Sequence, residues 1–164
     1  MKYKDYFDED EWQTIQFSLM WVFRGVAGAD GKIDKEEQQA LTRVIKSHPH
    51  IDNPFTKEVF KSLEANPGII FRQSINDHRD YRKGLEEAAN ILDSKVSLEI
   101  AVMYKKVLTA CGIFVANSSG EMTGSKISEE EVEQLSKLAF HLKISMDELR
   151  KEPTIDQLLK LFVK

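Results

Sequence analysis

Two long apolar helical stripes constrain this chain more than any other feature. Over residues 8–29, Trp12, Ile15, Leu19, Val22, Phe23 and Val26 recur at helical spacing. Phe17, Met20 and Trp21 widen that stripe around most of the circumference. Over residues 96–116, Ile100, Met103, Val107, Cys111 and Phe114 form a second stripe, widened by Val102, Leu108 and Val115. A helix that is apolar on most sides has to be enclosed by other elements. Both segments are therefore expected at the centre, with the remaining helices around them. The 164 residues suffice for one core, and only four prolines and eight glycines interrupt them.

The punctuation between the stripes is that of helices. Asp8 or Asp10 can cap the first long helix, and the acidic run "DEDE" suits the positive end of its dipole. Asp34 with Glu37, Ser128 with Glu131, Ser145 with Glu148 and Thr154 with Gln157 each have capping-box spacing. The first predicts a helix from Asp34 to about His48, stopping before Pro49. Asn53 and Pro54 open another over 54–66, which "NPG" breaks. Residues 69–80 read as a poorly patterned helix. Residues 81–93 read as an amphipathic one with Leu85, Ala88, Ala89 and Leu92 on one face, weakened by Gly84. The Ser128 box predicts a helix to about Leu142, and Pro153 separates two short terminal helices. The expected fold is all-α: one helical bundle of seven to nine helices over 1–164, with hairpins at about 8–48 and 96–143.

A weak duplication runs through this order. "GKIDKEEQQALTRVI" (31–45) aligns without gaps on "SKISEEEVEQLSKLA" (125–139), and each block follows a long apolar helix. Two helical hairpins related by a pseudo-twofold axis would follow, with the apolar helices side by side.

The run "AGADGKIDKEE" is the one stretch that suggests chemistry. As a calcium loop with Gly31 at the obligatory glycine, it would place Val26 and Gly28 at the first two ligand positions. Neither carries a side-chain oxygen, so a standard EF-hand does not fit. The run resembles instead the tellurite-resistance TerB family and its wider TerB-like group, through Ala27, Ala29, Asp30, Gly31, Ile33 and Glu37. "ISEEEVEQLSKLAFHLKIS" looks like the matching second half, although "NSSGEMTGSKI" stands where a second Asp-Gly would be. The resemblance implies an all-helical, pseudo-symmetric fold and an acidic surface for a divalent metal. It also implies an accessory or scaffold role in stress-response complexes at the membrane surface. The residues that carry over are Asp30 and Glu37, with Glu131 in the place of Glu37. Converging carboxylates would need a cation between them, and an oxygen-ligand ion, Ca²⁺ or Mg²⁺, is the natural guest. The capping reading stands beside this one: Glu37 and Glu131 serve equally well as capping-box partners, and Gly31 as a tight turn.

Other residues give less. Asp77 and His78 in "NDHRD", or Asp30 with Glu37, could act as an acid–base pair in an enzyme, the alternative class. His48 and His50 lie in a Pro-broken loop with no third ligand close by. His141 reads as a half-buried packing residue, and Arg24 as the lone charge of the first stripe. Cys111 lies in "ACGIFVA" and reads as core, and one cysteine allows no disulfide within the chain. The net charge of −4 and a pI of about 5.6 argue against nucleic acid as partner. No leader-like or membrane-spanning run stands out, so a cytoplasmic location is expected. A protein partner is the expected ligand. The segment "TIDQLLKLFVK" offers a weak basic-apolar face to a membrane surface.

Overall fold

The computed structural model describes residues 2–27, 35–118 and 129–163, without the side chains of 27, 129–132 and 134. Within them the chain forms α1 (Glu9–Ala27), α2 (Lys35–Lys46), α3 (Pro54–Glu64), α4 (Pro67–Asn76), α5 (Tyr81–Lys95), α6 (Leu98–Ala116), α7 (Glu129–Leu142), α8 (Met146–Arg150) and α9 (Ile155–Leu161). The described residues contain no strand, so the all-α bundle is the observed fold.

Local chemistry sets most of these boundaries. Asp8 and Glu11 cap α1 reciprocally: Asp8 Oδ1 accepts from the Glu11 N–H at 2.8 Å, and Glu11 Oε1 from the Asp8 N–H at 2.9 Å. Asn53 Oδ1 accepts from the Thr56 N–H at 2.9 Å, with Pro54 in the first turn of α3. Asp80 and Ser97 cap α5 and α6. Thr154 and Gln157 form a complete box at α9, whereas Ser145 accepts from Glu148 N–H at α8. The residues Asp34 and Ser128 lie outside the described residues. Helix α2 ends at Lys46, and a 3-10 turn at His48–His50 carries Pro49.

Helices α1 and α6 pack side by side, as two apolar stripes require. Helix α1 also packs on α5, α4 and α3, and α6 on α2, α7 and α9. Both α2 and α7 thus rest on α6, and α2 leans further on α3. The pairing of α1 with α6 realises the expected central contact, and among the described residues α7 packs on α6 while α2 packs mainly on α6 and α3. One continuous apolar core results. Its aromatic centre includes Phe55 against Tyr104, with ring centroids 5.2 Å apart, and Phe17 against Trp21 at 5.5 Å. The N-terminal 3-10 turn Tyr3–Tyr6 is tied down by Glu58, whose two oxygens accept from the N–H groups of Tyr3 and Lys4 at 2.9 and 2.8 Å.

Candidate functional site

The acidic corner is only partly in view. Glu37 sits in the first turn of α2 and is buried, 8% exposed. Asp30 lies outside the described residues. Glu131 falls in the first turn of α7, and its side chain is not described. Among the described residues, no three His, Cys, Asp or Glu side chains form a group able to hold a metal ion. What the described residues offer a Ca²⁺ or Mg²⁺ ion is one buried carboxylate at the N-terminal end of α2. That fits a hard cation in donor type, and a full ligand set needs oxygens from the two flanking turns.

Asp77 and His78 are held in a different arrangement from an acid–base pair. Asp77 grips Arg79 with both oxygens: Nε donates to Oδ1 at 2.8 Å and Nη2 to Oδ2 at 3.0 Å. Arg79 also donates to Glu87 Oε2 at 2.6 Å and Thr14 Oγ1 at 3.0 Å, and its guanidinium lies 4.9 Å from the centroid of the Trp21 ring. The hydrogen bonds from Arg79 hold the Asp77 carboxyl below its usual range, against the opposing pull of burial. Arg79 is pushed up in turn, chiefly by Asp77. The His78 ring is 81% exposed, and its Nδ1 stands 3.7 Å from Asp77 Oδ1. This cluster locks the α4–α5 connection onto α1.

Of the remaining histidines, two make contacts within the fold and one is exposed. His48 Nε2 meets Glu64 Oε2 at 2.6 Å, which ties the 3-10 turn to α3, while His50 is exposed. His141 is half-buried between Tyr81 and Phe140, with ring centroids at 6.3 and 5.5 Å. Cys111 is buried, and burial pushes its thiol well up. In the terminal segment, Ile155, Leu158 and Phe162 are buried in the core. Its apolar side is therefore largely spent on folding. No helix among the described residues is long and apolar enough to cross a membrane.

Besides a cleft of about 920 Å³ lined by Lys4, Trp12, His48 and Lys57 among others, two clefts open on the surface. The first, of about 360 Å³, lies between α1, α5 and α7 and is lined by Gly25, Tyr81, Arg82, Lys137, Phe140 and His141 among others. Phe140 exposes 75% of its surface there. Arg82 lies over the Tyr81 ring, 5.5 Å from its centroid. The second cleft, of about 830 Å³, runs along α6 beneath the α7–α8 and α8–α9 connections. It is lined by Leu98, Val102, Met103, Lys105, Lys106 and Ile144, together with further residues of α8 and its flanks.

Sequence reasoning missed Arg79, the exposed Phe140 and the buried pair Lys105 and Lys106. The lysines left a signal: two adjacent charges in the middle of the second apolar stripe. Arg79 left none, because it stands in a polar run like any surface stretch. Comparison with known proteins finds no matching family model, no matching curated protein and no matching solved structure.

Proposed function

We propose that this chain is a non-enzymatic, TerB-like accessory module that works by holding a protein partner. The observation that carries the reading is Phe140. A phenylalanine 75% exposed on a well-packed helix gains nothing for its own fold. Beside it stand Tyr81, Arg82 and His141 around a concave surface. Aromatic and arginine side chains around a shallow pocket are the usual composition of an interface hot spot. The acid–base alternative has weaker support, since Asp77 already spends both oxygens on Arg79 and His78 lines none of the clefts described above. A photo-crosslinking phenylalanine analogue at position 140, in cells, tests the reading. Light should give a discrete adduct that excess unlabelled chain competes away and that the same analogue at exposed position 160 does not give. Identical adducts from both positions would remove the support.

A divalent cation at Asp30, Glu37 and Glu131 is the second part of the proposal, resting on the buried Glu37 carboxylate. The cation would be structural, closing the α2 and α7 helix starts together. Thermal unfolding of metal-stripped chain with millimolar Ca²⁺, Mg²⁺, Mn²⁺ or Zn²⁺ tests it, because an ion that binds only the folded state raises the midpoint. A rise with one ion that Asp30→Asn with Glu37→Gln abolishes is the expected result. No rise with any ion leaves the corner as a capped turn.

A further inference from the structure

Two neighbouring lysines of α6 provide their own control. Lys105 and Lys106 are each 3% exposed. Lys105 is satisfied from within: its Nζ donates to Asp93 Oδ1 at 2.8 Å and to the Lys143 carbonyl at 3.3 Å. Lys106 Nζ donates to the Lys151 carbonyl at 2.7 Å, and among the described residues it has no ion-pair partner. An ammonium carries three donors, and a buried charge without a counter-ion is costly. Desolvation accordingly lowers the pKa of Lys106, while the more distant Glu148 partly holds it up. Lys106 lines the cleft of about 830 Å³, a volume suited to a small ligand. Leu98, Val102, Met103 and Ile144 supply an apolar wall, and Leu98 is 78% exposed at its rim.

We infer that this cleft binds a monocarboxylate with an aliphatic body. The carboxylate would take the two unused donors of Lys106, and the chain would lie along Val102, Met103 and Leu98. Of the other cations of the cleft, Lys105 is paired with Asp93 and Lys151 with Glu148 at 3.1 Å, while Lys143 points its ammonium to the Asn90 amide oxygen at 2.6 Å and is solvent-exposed rather than buried. Glu99 and Glu152 also line the cleft and disfavour a second negative charge, which selects a monoanion over a phosphate or a dicarboxylate. The ligand chemistry could be that of a free aliphatic acid or of a partner's C-terminal carboxylate. The site does not depend on the role proposed for Phe140, which lines a different cleft.

Octanoate, titrated into the full chain with labelled methyl groups, is the probe. Saturable shifts at Met103, Leu98 and Ile144 are expected. Octanol and octylamine, with the same tail, should bind at least about tenfold more weakly. Lys106→Met should weaken octanoate by a similar factor, and Lys61→Met should not. The comparison of octanoate with octanol uses the unaltered chain, so it decides the matter even where Lys106→Met fails to fold. A second arm compares octanoate with acetyl-Ala-Leu-Leu bearing a free C-terminal carboxylate. Tighter peptide assigns the site to a protein C-terminus, and tighter octanoate to a free acid; both support the carboxylate seat. Octanol as tight as octanoate, or no saturable shift in the cleft from either acid, overturns it.

Discussion

Gly84 lies directly against the indole of Trp21. A Cβ at position 84 would stand 2.5–2.6 Å from three atoms of that ring. Trp21 is fully buried, so it has nowhere to move. In isolation, alanine would favour helix α5 by about 1 kcal/mol. Overpacking typically costs about 1–3 kcal/mol, and contacts this close belong at the upper end. Gly84→Ala is therefore expected to lower stability in chemical denaturation. Gly68→Ala in α4 is the matched control. A Cβ there meets nothing within 4 Å, so it should be neutral or gain up to about 1 kcal/mol.

The Arg79 cluster predicts both a magnitude and a pH dependence. Arg79→Lys keeps the charge but loses the paired contact with Asp77 and the stacking on Trp21. A loss of about 2 kcal/mol is expected. Asp77 has a lowered pKa in the folded state because Arg79 binds its charged form. The unfolded state takes up its proton first as pH falls. The contribution of Asp77 is thus complete above the ordinary carboxylate range and is lost as pH drops through the folded pKa. Stability measured against pH should fall less steeply on the acid side for Asp77→Asn than for the native chain.

Tyr104 titrates in the opposite sense. Its hydroxyl is buried with Ser18 Oγ at 2.7 Å and donates to the Ile15 carbonyl at 3.2 Å. Burial raises its pKa well beyond the phenol range, against a smaller opposing effect of the Ser18 bond. The unfolded chain loses this proton first as pH rises, so stability is full below the ordinary phenol pKa and declines above about pH 10. Tyr104→Phe should cost about 1–2 kcal/mol at neutral pH. It should also flatten that alkaline decline, as denaturation at pH 8 and pH 10.5 would show.

The single thiol gives a simple unfolding probe. Cys111 is buried in the C-terminal half of α6, with its pKa raised, so neither access nor thiolate is available in the native state. Its alkylation rate in native buffer should follow the unfolding equilibrium and rise about tenfold for every 1.4 kcal/mol that a substitution above costs. Fast labelling without denaturant would contradict the packing around α6.

What was legible in the sequence was what local chemistry decides. The Thr154–Gln157 box and the Asn53 cap appear as read, because each is a short-range contact with one candidate. The α1 cap was ambiguous, because four consecutive acids offered several partners and only packing selects Asp8 with Glu11. The stripes located the central pair α1 and α6, but not that α2 would lean on α6 and α3, which depends on the shape of a distant surface. Gly84 read as a weak point of α5, since periodicity does not show which ring fills the space. Of the candidate metal ligands, only the burial of Glu37 is on view. The clefts were illegible because they form between helices far apart in the chain.

The end of α7 carries a correctable strain. The Ile144 N–H bonds the Ala139 carbonyl at 3.0 Å, and the Lys143 N–H bonds the Phe140 carbonyl at 3.2 Å. This pattern closes a helix through a left-handed residue, and Lys143 takes that place with φ 57°. Glycine is the usual occupant, because an L side chain there crowds its own carbonyl at a cost of about 1–2 kcal/mol. Ile144 follows and is buried, which completes the motif with an apolar contact. Lys143→Gly forfeits the exposed hydrogen bond to Asn90 and adds chain entropy to the unfolded state. Both losses are smaller than the relieved strain. A net gain of about 0.5–1 kcal/mol is expected in chemical denaturation. Lys143→Ala removes the same bond and keeps the strain, so it should not gain; equal stability of the two variants would show that the left-handed backbone carries no penalty at this position.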